Sequence, residues 1–328
     1  MRRAGQLLLA LVLLVSAGAP WLAPNPPDKT FPDLLYAPPT RVHLPEADAP
    51  GLHFHSLRLV SRLERRFEED RNQPVRLQWF TNGRLVSTDQ AAGGPESPPL
   101  LLLGADPYGR DIFARLLYGA RTSLALAVVA TLAAVLLGAI IGSAAGYLGG
   151  TADDLISRTS DFVLVLPATY VVLALRSVMP LVLPAETMFL LLSAIFAFVG
   201  WPIVARGVRG IVASERERDY VAAGRAIGAG PWRLIVRHLL PAAGGHLRTQ
   251  ATLLLPAFIL AEATLSYVGL GFPDTIPTWG TMLQEASSAA LIGESPWMLA
   301  PAGAIFLVVL AVNLLVQGAG RAPVQLEP

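Results

Sequence analysis

Six long apolar segments dominate this chain and restrict it to folds that cross a membrane. They lie at about residues 7–23, 124–148, 162–179, 187–205, 249–271 and 298–319. Spanning the hydrocarbon of a bilayer takes about 20 mostly apolar residues, so each segment predicts a transmembrane helix. The composition agrees, because 53% of the 328 residues are hydrophobic and only 15% are charged. The expected fold class is an all-α membrane protein with six transmembrane helices.

The distribution of arginine predicts how the chain is oriented in the membrane. The loop at residues 206–248 carries eight arginines, whereas the loop at residues 272–297 carries three acidic residues and no basic one. Because basic loops tend to stay in the cytoplasm, the arginine-rich loop is expected there. Arg2, Arg3 and Arg321 point the same way, so both termini, including a tail at residues 321–328, are predicted to be cytoplasmic.

The first apolar segment has two interpretations. Arg2 and Arg3, a short apolar core and the sequence Ala17-Gly18-Ala19 also describe a secretory signal with a cleavage site. Pro20 would directly follow that cut, where cleavage is disfavoured. We favour an uncleaved transmembrane anchor at residues 1–24.

Residues 25–111 are expected to form a small mixed α/β insert outside the cytoplasm, on the side set by the order of the spans. Residues 52–60 alternate like a strand, and residues 61–71 are charged and favour a helix. The segments 75–80 and 84–86 flank Thr81-Asn82-Gly83, which predicts a hairpin turn. The insert therefore separates the first span from the other five, which are expected within residues 112–320.

Three histidines of this insert raise the question of a metal site. His53 and His55 lie on one face of the first predicted strand, and His43 is close in sequence. No acidic or cysteine partner has ligand spacing with them, and the chain contains no cysteine. We therefore favour histidines on a surface strand, and no metal site is expected.

A polar, glycine-punctuated stretch at residues 219–241 separates two apolar spans. Its first half is rich in alanine, Gly228-Ala229-Gly230-Pro231 favours a turn, and the following residues resume helical spacing. The stretch resembles the EAA loop of ABC importer permeases, with Gly228 and the closing pair Leu240-Pro241 in register. The Glu position of that pattern falls on Ala222, and its two Ala positions fall on Ala223 and Gly224.

A second resemblance covers about residues 104–315. Gly104-Ala105-Asp106 and Gly109-Arg110-Asp111 precede the second span, and Pro277-Thr278-Trp279-Gly280 and Ser295-Pro296-Trp297 precede the last. These motifs resemble the oligopeptide and dipeptide class of ABC importer permeases, in particular its C-type subunit. The resemblance implies the type I importer permease fold and a location in the bacterial inner (plasma) membrane.

The resemblance also implies the function and the partners. The chain would form half of the translocation pore for peptides or similar small solutes, beside a homologous permease subunit in a heterodimer. Two ABC ATPase subunits would bind its cytoplasmic loop, and an extracytoplasmic solute-binding protein would deliver the solute; no nucleic acid is expected. The coupling-loop residues carried over from the family pattern are Tyr220, Ala222, Ala223, Gly224, Ala226, Gly228, Ala229, Pro231, Leu240 and Pro241.

No enzymatic activity or cofactor is expected for this chain. The phosphate-binding pattern G-x-x-x-x-G-K-[ST] is absent, since the only lysine is Lys29. ATP and Mg would therefore be used by the partner ATPase subunits.

The alternative function is a secondary transporter driven by an ion gradient, which would show inverted halves and several buried acids. An intramembrane protease fits poorly as well, because His238 and His246 belong to the cytoplasmic loop.

Polar residues inside the spans are the remaining functional candidates, because hydrocarbon penalises them. Glu262 is predicted to face the pore or the partner subunit, although an interhelical hydrogen bond is an equal alternative. Arg176 either lines an outer gate or extends to the lipid headgroups. Asn313 and Gln317 complete the set.

Two further patterns predict architecture rather than transport chemistry. Asp106, Arg110 and Asp111 are expected to begin an interfacial helix at residues 111–118. Gly138 and Gly142 in the second span predict close packing against a neighbouring helix.

Overall fold

The computed structural model describes residues 2–45, 51–62, 64–81, 83–88, 98–167, 170–171, 174, 183–287 and 293–319. The chain forms two compact units, one from residues 1–123 and 266–317 and the other from residues 124–265 and 318–328. Most of the described chain is helical. The one sheet of the described residues lies in the first unit.

The α-helices of the described residues are numbered α1 to α11 along the chain. They are α1 (Arg2–Ala17), α2 (Ala19–Leu22), α3 (Ile112–Leu148), α4 (Gly150–Val165), α5 (Ala185–Arg216), α6 (Asp219–Ala226), α7 (Pro231–Leu234), α8 (Leu240–Ala242), α9 (Gly244–Tyr267), α10 (Trp279–Glu285) and α11 (Ala300–Ala319). A π-helical turn, Ile235–Leu239, joins α7 to α8, and a 3₁₀ turn, Pro296–Leu299, precedes α11.

Four of the predicted spans fall on helices that are long and apolar enough to cross a membrane. Within the described residues these are Ile112–Leu148, Ala185–Arg216, Gly244–Tyr267 and Pro296–Val316. The first predicted span falls on α1, which is a shorter apolar helix followed by the separate turn α2. Half of the third, at residues 162–179, lies outside the described residues, and α4 covers its start. The membrane-embedded character is confirmed, and the number of six helices stays a prediction.

The start of α3 corrects one expectation. The sequence predicts a separate interfacial helix at residues 111–118, but α3 runs without a break for 37 residues from Ile112 to Leu148. Residues 112–148 contain no proline, so no backbone group interrupts the helical hydrogen bonds. Asp111 caps the helix as expected, since its Oδ1 accepts a hydrogen bond from the Phe113 amide at 2.9 Å.

Within its described residues, the insert forms a four-stranded antiparallel sheet and contains no helix. Its strands, β1 (Val42–His43), β2 (His53–Ser61), β3 (Arg66–Thr81) and β4 (Arg84–Thr88), are in sequential order. The helix expected at residues 61–71 is wrong, because Arg66 to Arg71 belong to β3. Phe67 there pairs with Leu59 and packs on a cluster that includes Phe31 and Leu34. Tertiary pairing therefore outweighs the helical preference of the charged residues.

The predicted hairpin is present. Thr81 lies opposite Arg84, and Gly83 has a φ of +70°. Asn82 lies outside the described residues.

The three histidines of the insert lie together on the sheet. His43 is paired with His53 across β1 and β2, and the three ring centroids are 5.1 to 5.7 Å apart. His43 Nε2 is 3.5 Å from a carboxylate oxygen of Glu69. Across the residues that the structure describes, no group of three histidine, cysteine or acidic side chains is arranged to hold a metal ion.

A buried cluster of four charges joins the residues before α3, the first turn of α3 and the end of α10. Arg110 Nε is 2.6 Å from Asp106 Oδ2, and Arg110 Nη2 is 2.7 Å from Glu285 Oε1. Arg115 reaches the same Glu285 oxygen at 2.9 Å and Asp106 at 3.5 Å. The ion pair between Asp106 and Arg110 agrees with the sequence, whereas spacing alone does not predict Arg115 and Glu285. Burial raises the pKa of Glu285 to about 7, although both arginines favour its ionised form.

Asp111, which directly follows Arg110 in the sequence, has a pKa that is shifted by burial. Its carboxylate accepts a hydrogen bond from Asn25 Nδ2 at 2.9 Å, yet burial raises its pKa from 3.8 to about 6. Since this folded pKa exceeds the unfolded one, the fold favours the protonated carboxyl, and that contribution to stability is lost as the pH rises from 3.8 to about 6.

We expect the Asp111→Asn variant to lose stability less steeply with rising pH than the parent chain over this range. The difference in the free energy of unfolding should be up to about 3 kcal/mol, and melting temperatures measured at several pH values check it. The matched control is Asp33→Asn, at a side chain that is 83% exposed. Parallel pH profiles for the parent chain and Asp111→Asn would contradict the prediction.

In the second unit, glycines bring α3 against α5. A Cβ atom built at Gly138 would lie 2.5 Å from Val204 Cβ, and one built at Gly146 would lie 2.6 Å from the Arg209 carbonyl oxygen. At Gly142 it would overlap the carbonyl oxygen of Ala205. The predicted packing face of the second span is therefore confirmed, and the small residues allow close backbone approach.

Candidate functional site

The predicted helix, turn and second helix between the fourth and fifth spans are all present in the second unit. α5 continues through Arg216, so the connecting segment is shorter than residues 206–248 and comprises about residues 217–243. It contains α6, a turn, α7, the π-helical turn and α8. We call residues 217–243 the coupling loop.

The turn between α6 and α7 depends on Gly228. Its φ is +84°, which favours glycine because other residues meet a Cβ clash there. The Gly228 amide donates to the Arg225 carbonyl and the Ala229 amide donates to the Gly224 carbonyl, both at 3.0 Å. These two bonds form a Schellman motif that closes α6. The predicted turn is therefore confirmed, together with its reason for a glycine.

One face of the coupling loop is packed on α5. Val221, Leu234, Leu239 and Ala243 are fully buried in a cluster with three valines of α5, which are Val204, Val208 and Val212. The family pattern does not mark these loop residues, although apolar side chains in a segment rich in arginine are a usable signal for burial. The contact fixes the loop to the span.

Gly224 explains one departure from the family pattern. A Cβ atom built there would lie 2.9 Å from Leu234 Cδ2, so α6 and α7 meet at this position. The pattern has alanine at this place, and glycine fits a closer approach of the two helices.

Two large apolar side chains of the coupling loop are more exposed than the others. Ile227 is 87% exposed and Trp232 is 74% exposed, on either side of the Gly228 turn. The carried-over residues Ala222, Ala223, Ala226, Gly228, Pro231 and Pro241 are exposed as well, with Tyr220 at 40%, and Ala229 and Leu240 are half-buried. Ile227 is not among the residues that the family pattern marks. Exposed apolar surface marks interaction sites, so the surface that carries Ile227 and Trp232, which we call the loop tip, is a candidate docking surface.

Charged contacts hold the base of the coupling loop. Arg209 of α5 binds Asp153 of α4 through both carboxylate oxygens, with 2.6 Å between Nη2 and Oδ2, and this lowers the pKa of Asp153. Arg216 donates to the Tyr147 carbonyl oxygen at 3.0 Å, which joins the ends of α5 and α3. The Tyr220 hydroxyl donates to Glu215 at 2.8 Å. The end of α5 from which the coupling loop begins is therefore hydrogen-bonded to both α3 and α4.

The polar candidates inside the spans differ in their surroundings. Glu262 of α9 is fully buried and makes a polar interaction, which leaves its predicted pore role a prediction. Asn313 is exposed on α11, and its Nδ2 donates to the Val309 carbonyl oxygen of the same helix at 3.0 Å. Arg176 lies outside the described residues, as does the side chain of Gln317.

Apolar helices of spanning length and a loop with an exposed apolar tip define an integral membrane protein with a candidate docking surface. Comparison with known proteins identifies the family to which this membrane protein belongs. Residues 134–322 match the family described as binding-protein-dependent transport system inner membrane component, and the chain belongs to this family. It is a permease subunit of an ABC importer. Such subunits are translocation components rather than enzymes, and they bind no cofactor themselves.

Individual relatives agree with the family assignment. The chain is 37% identical to a putative peptide permease protein of Brucella ovis over 66% of this chain and 70% of that protein. It is 36% identical to the oligopeptide transport system permease protein OppC of Bacillus subtilis over 66% of this chain and 68% of that protein. A di/tripeptide transport system permease protein of Pseudomonas aeruginosa is 30% identical over 96% of this chain and 84% of its own length.

Proposed function

We propose that this chain forms one half of the translocation pore of an ATP-driven importer for peptides or similar small solutes. The names of its relatives support this substrate class, because they refer to oligopeptides, dipeptides, di- and tripeptides and glutathione. A secondary ion-coupled transporter is not favoured by these relatives.

The proposed assembly contains three kinds of partner. A homologous permease subunit supplies the other half of the pore, and two ABC ATPase subunits use ATP and Mg beneath it. An extracytoplasmic solute-binding protein delivers the solute. The complex lies in the bacterial inner membrane, with the coupling loop and both termini of this chain in the cytoplasm and the sheet of residues 42–88 outside.

The observation that carries the proposal is the two-faced structure of the coupling loop. Its inner face is fixed to α5 through Val221, Leu234 and Leu239, whereas Ile227 and Trp232 project from its tip. A cleft on an ATPase subunit would bind these two side chains. When ATP closes the ATPase dimer, the tip moves with it, and the packed inner face transmits the movement to α5, which reorients the pore.

The first test removes the apolar tip. We expect the double variant Ile227→Ser with Trp232→Ser to lose ATPase binding and to reduce ATP-dependent uptake at least tenfold. Two exposed anchors of this size act as hot spots, each contributing about 2 kcal/mol or more. Copurification of the ATPase subunits and uptake in proteoliposomes check this.

The matched control is Leu44→Ser, at an apolar residue of the sheet region that is 75% exposed. Assembly and uptake should be unchanged in it. Normal ATPase binding by the double variant would overturn the proposed docking role, and uptake that continues without ATP would overturn the importer mechanism.

The second test locates the coupling loop. The chain has no cysteine, so Ala226→Cys creates a single site for a membrane-impermeant maleimide. We expect labelling in inside-out membrane vesicles and none in intact cells whose outer barrier has been removed. Labelling from the outside would contradict the proposed orientation.

A further inference from the structure

An exposed apolar stripe on α1 extends to the end of that helix. Leu7, Leu11 and Leu14 are 71%, 57% and 71% exposed, and their spacing places them on one helix face. Trp21, seven residues after Leu14, continues the spacing into α2 and is 45% exposed. This surface is too long and too apolar to face water, and its spacing suits contact with lipid.

The packing of α1 shows where the stripe ends. A Cβ atom built at Gly5 would lie 2.7 Å from the Ala311 carbonyl oxygen, so α1 begins beside the second half of α11. At its other end, Ala19 and Ala23 pack against Ala114 and Leu117 in the first turns of α3. The residues around Trp21 therefore lie level with the end of a candidate membrane span.

The hairpin of β3 and β4 contacts this same place. The ring centroid of Phe80 is 6.1 Å from that of Trp21, and Arg84 Nη1 donates to the Pro24 carbonyl oxygen. Phe80 is 71% exposed and its neighbour Trp79 is 49% exposed. Two exposed aromatic rings thus meet where the apolar stripe of α1 ends.

We propose that Trp21 and Phe80 form an aromatic anchor in the headgroup region of the lipid bilayer, so that the tip of the β3 and β4 hairpin rests on lipid. Tryptophan concentrates at this depth because its ring is apolar while its N–H stays within reach of water. Phenylalanine beside it adds a further apolar ring, as on the apolar faces of helices that lie in the interface. Lipid is the occupant because the two rings continue the exposed apolar stripe of Leu7, Leu11 and Leu14, whose spacing suits contact with lipid. The proposal rests on the proposed function only for the side of the membrane, which the order of the spans makes the outer leaflet.

The anchor would fix the sheet of the insert relative to the membrane. β3 continues from Phe80 towards Arg66, and Arg65 at that end contacts Glu294 with 3.0 Å between Nη1 and Oε2. The sheet is then held at two places, by lipid contact at the hairpin and by an ion pair at the opposite end of β3.

Spin labelling measures the depth of the hairpin directly. The parent chain has no cysteine, so Phe80→Cys carries a single nitroxide, and the importer is reconstituted in liposomes of phosphatidylethanolamine and phosphatidylglycerol. Collision rates with oxygen, which enters lipid, and with a nickel chelate, which stays in water, give the depth. Leu11→Cys serves as the lipid reference, and Arg62→Cys, at a side chain 83% exposed beside Asp33, serves as the water reference.

We expect the ratio of oxygen to nickel collisions at residue 80 to exceed that at residue 62 at least threefold and to lie below that at residue 11. Trp21→Cys, as a second labelled variant, should give a similar intermediate depth. A ratio at residue 80 equal to that at residue 62 would overturn the proposal. Low collision rates with both reagents would also overturn it, because they mean that protein covers the site. Uptake by the same proteoliposomes reports on the importer function independently.

Discussion

Replacement of Arg115 by methionine should be among the most destabilising single substitutions in the first unit. Arg115 is 1% exposed and binds Glu285 at 2.9 Å, so its loss leaves two acidic residues to share Arg110 inside the protein. Breaking a buried charge cluster by removing one partner costs about 3–5 kcal/mol. For a chain of this size we expect the melting temperature in detergent to fall by roughly 10 °C.

Two further variants separate this effect from a general loss of charge. Arg62→Met removes an exposed partner of Asp33 and should leave the melting temperature nearly unchanged. Adding Glu285→Gln to Arg115→Met removes the unpaired charge and should restore part of the loss. If Arg115→Met melted like the parent chain, the cluster would not contribute to the stability of the first unit.

Introduction of leucine at Gly142 should prevent the second unit from packing. The new side chain would overlap the backbone of α5 at Ala205, and the Val208 side chain lies 2.9 Å from the Cβ position. Backbone atoms cannot rotate away as a flexible side chain can, so α3 and α5 must separate. Overpacking usually costs about 1–3 kcal/mol, and a clash with a helix backbone belongs at or above the top of this range.

The measurable result for Gly142→Leu is a loss of folded importer. We expect the yield of monodisperse complex in size-exclusion chromatography to fall at least tenfold, with a corresponding loss of uptake. Gly303→Leu is the matched control, because Gly303 also lies in a candidate span but has no described atom within 4 Å of its Cβ position. Equal yields from the two variants would show that close contact between α3 and α5 is not required.

The sequence predicted the spans well where apolar residues are uninterrupted, and it predicted their ends less well. α5 continues past residue 205 into a charged stretch, since Arg209 and Arg216 find partners on α4 and α3. The sequence of residues 61–71 favours a helix by its charge pattern. A strand is more stable there only because β2 pairs with it, and this pairing cannot be read from the sequence of residues 61–71 alone.

The turn of the coupling loop could be predicted from the sequence, whereas the packing of the loop on α5 could not. Gly228 and the flanking residues indicate a turn through a local requirement for positive φ, which one glycine reveals. The burial of Val221, Leu234 and Leu239 depends on α5, and the exposure of Ile227 and Trp232 follows from that burial. The partnership of Arg115 with Glu285 joins residues 170 positions apart, a distance at which spacing carries no information.

The charge cluster around Arg110 also bears on the behaviour of the protein when it is warmed. The cost of removing ions from water decreases with temperature, whereas the stabilisation from apolar burial levels off. Contacts among Asp106, Arg110, Arg115 and Glu285 therefore weaken less on heating than the aliphatic contacts around them. The junction between α10 and the first turn of α3 should accordingly be among the last contacts of the first unit to melt.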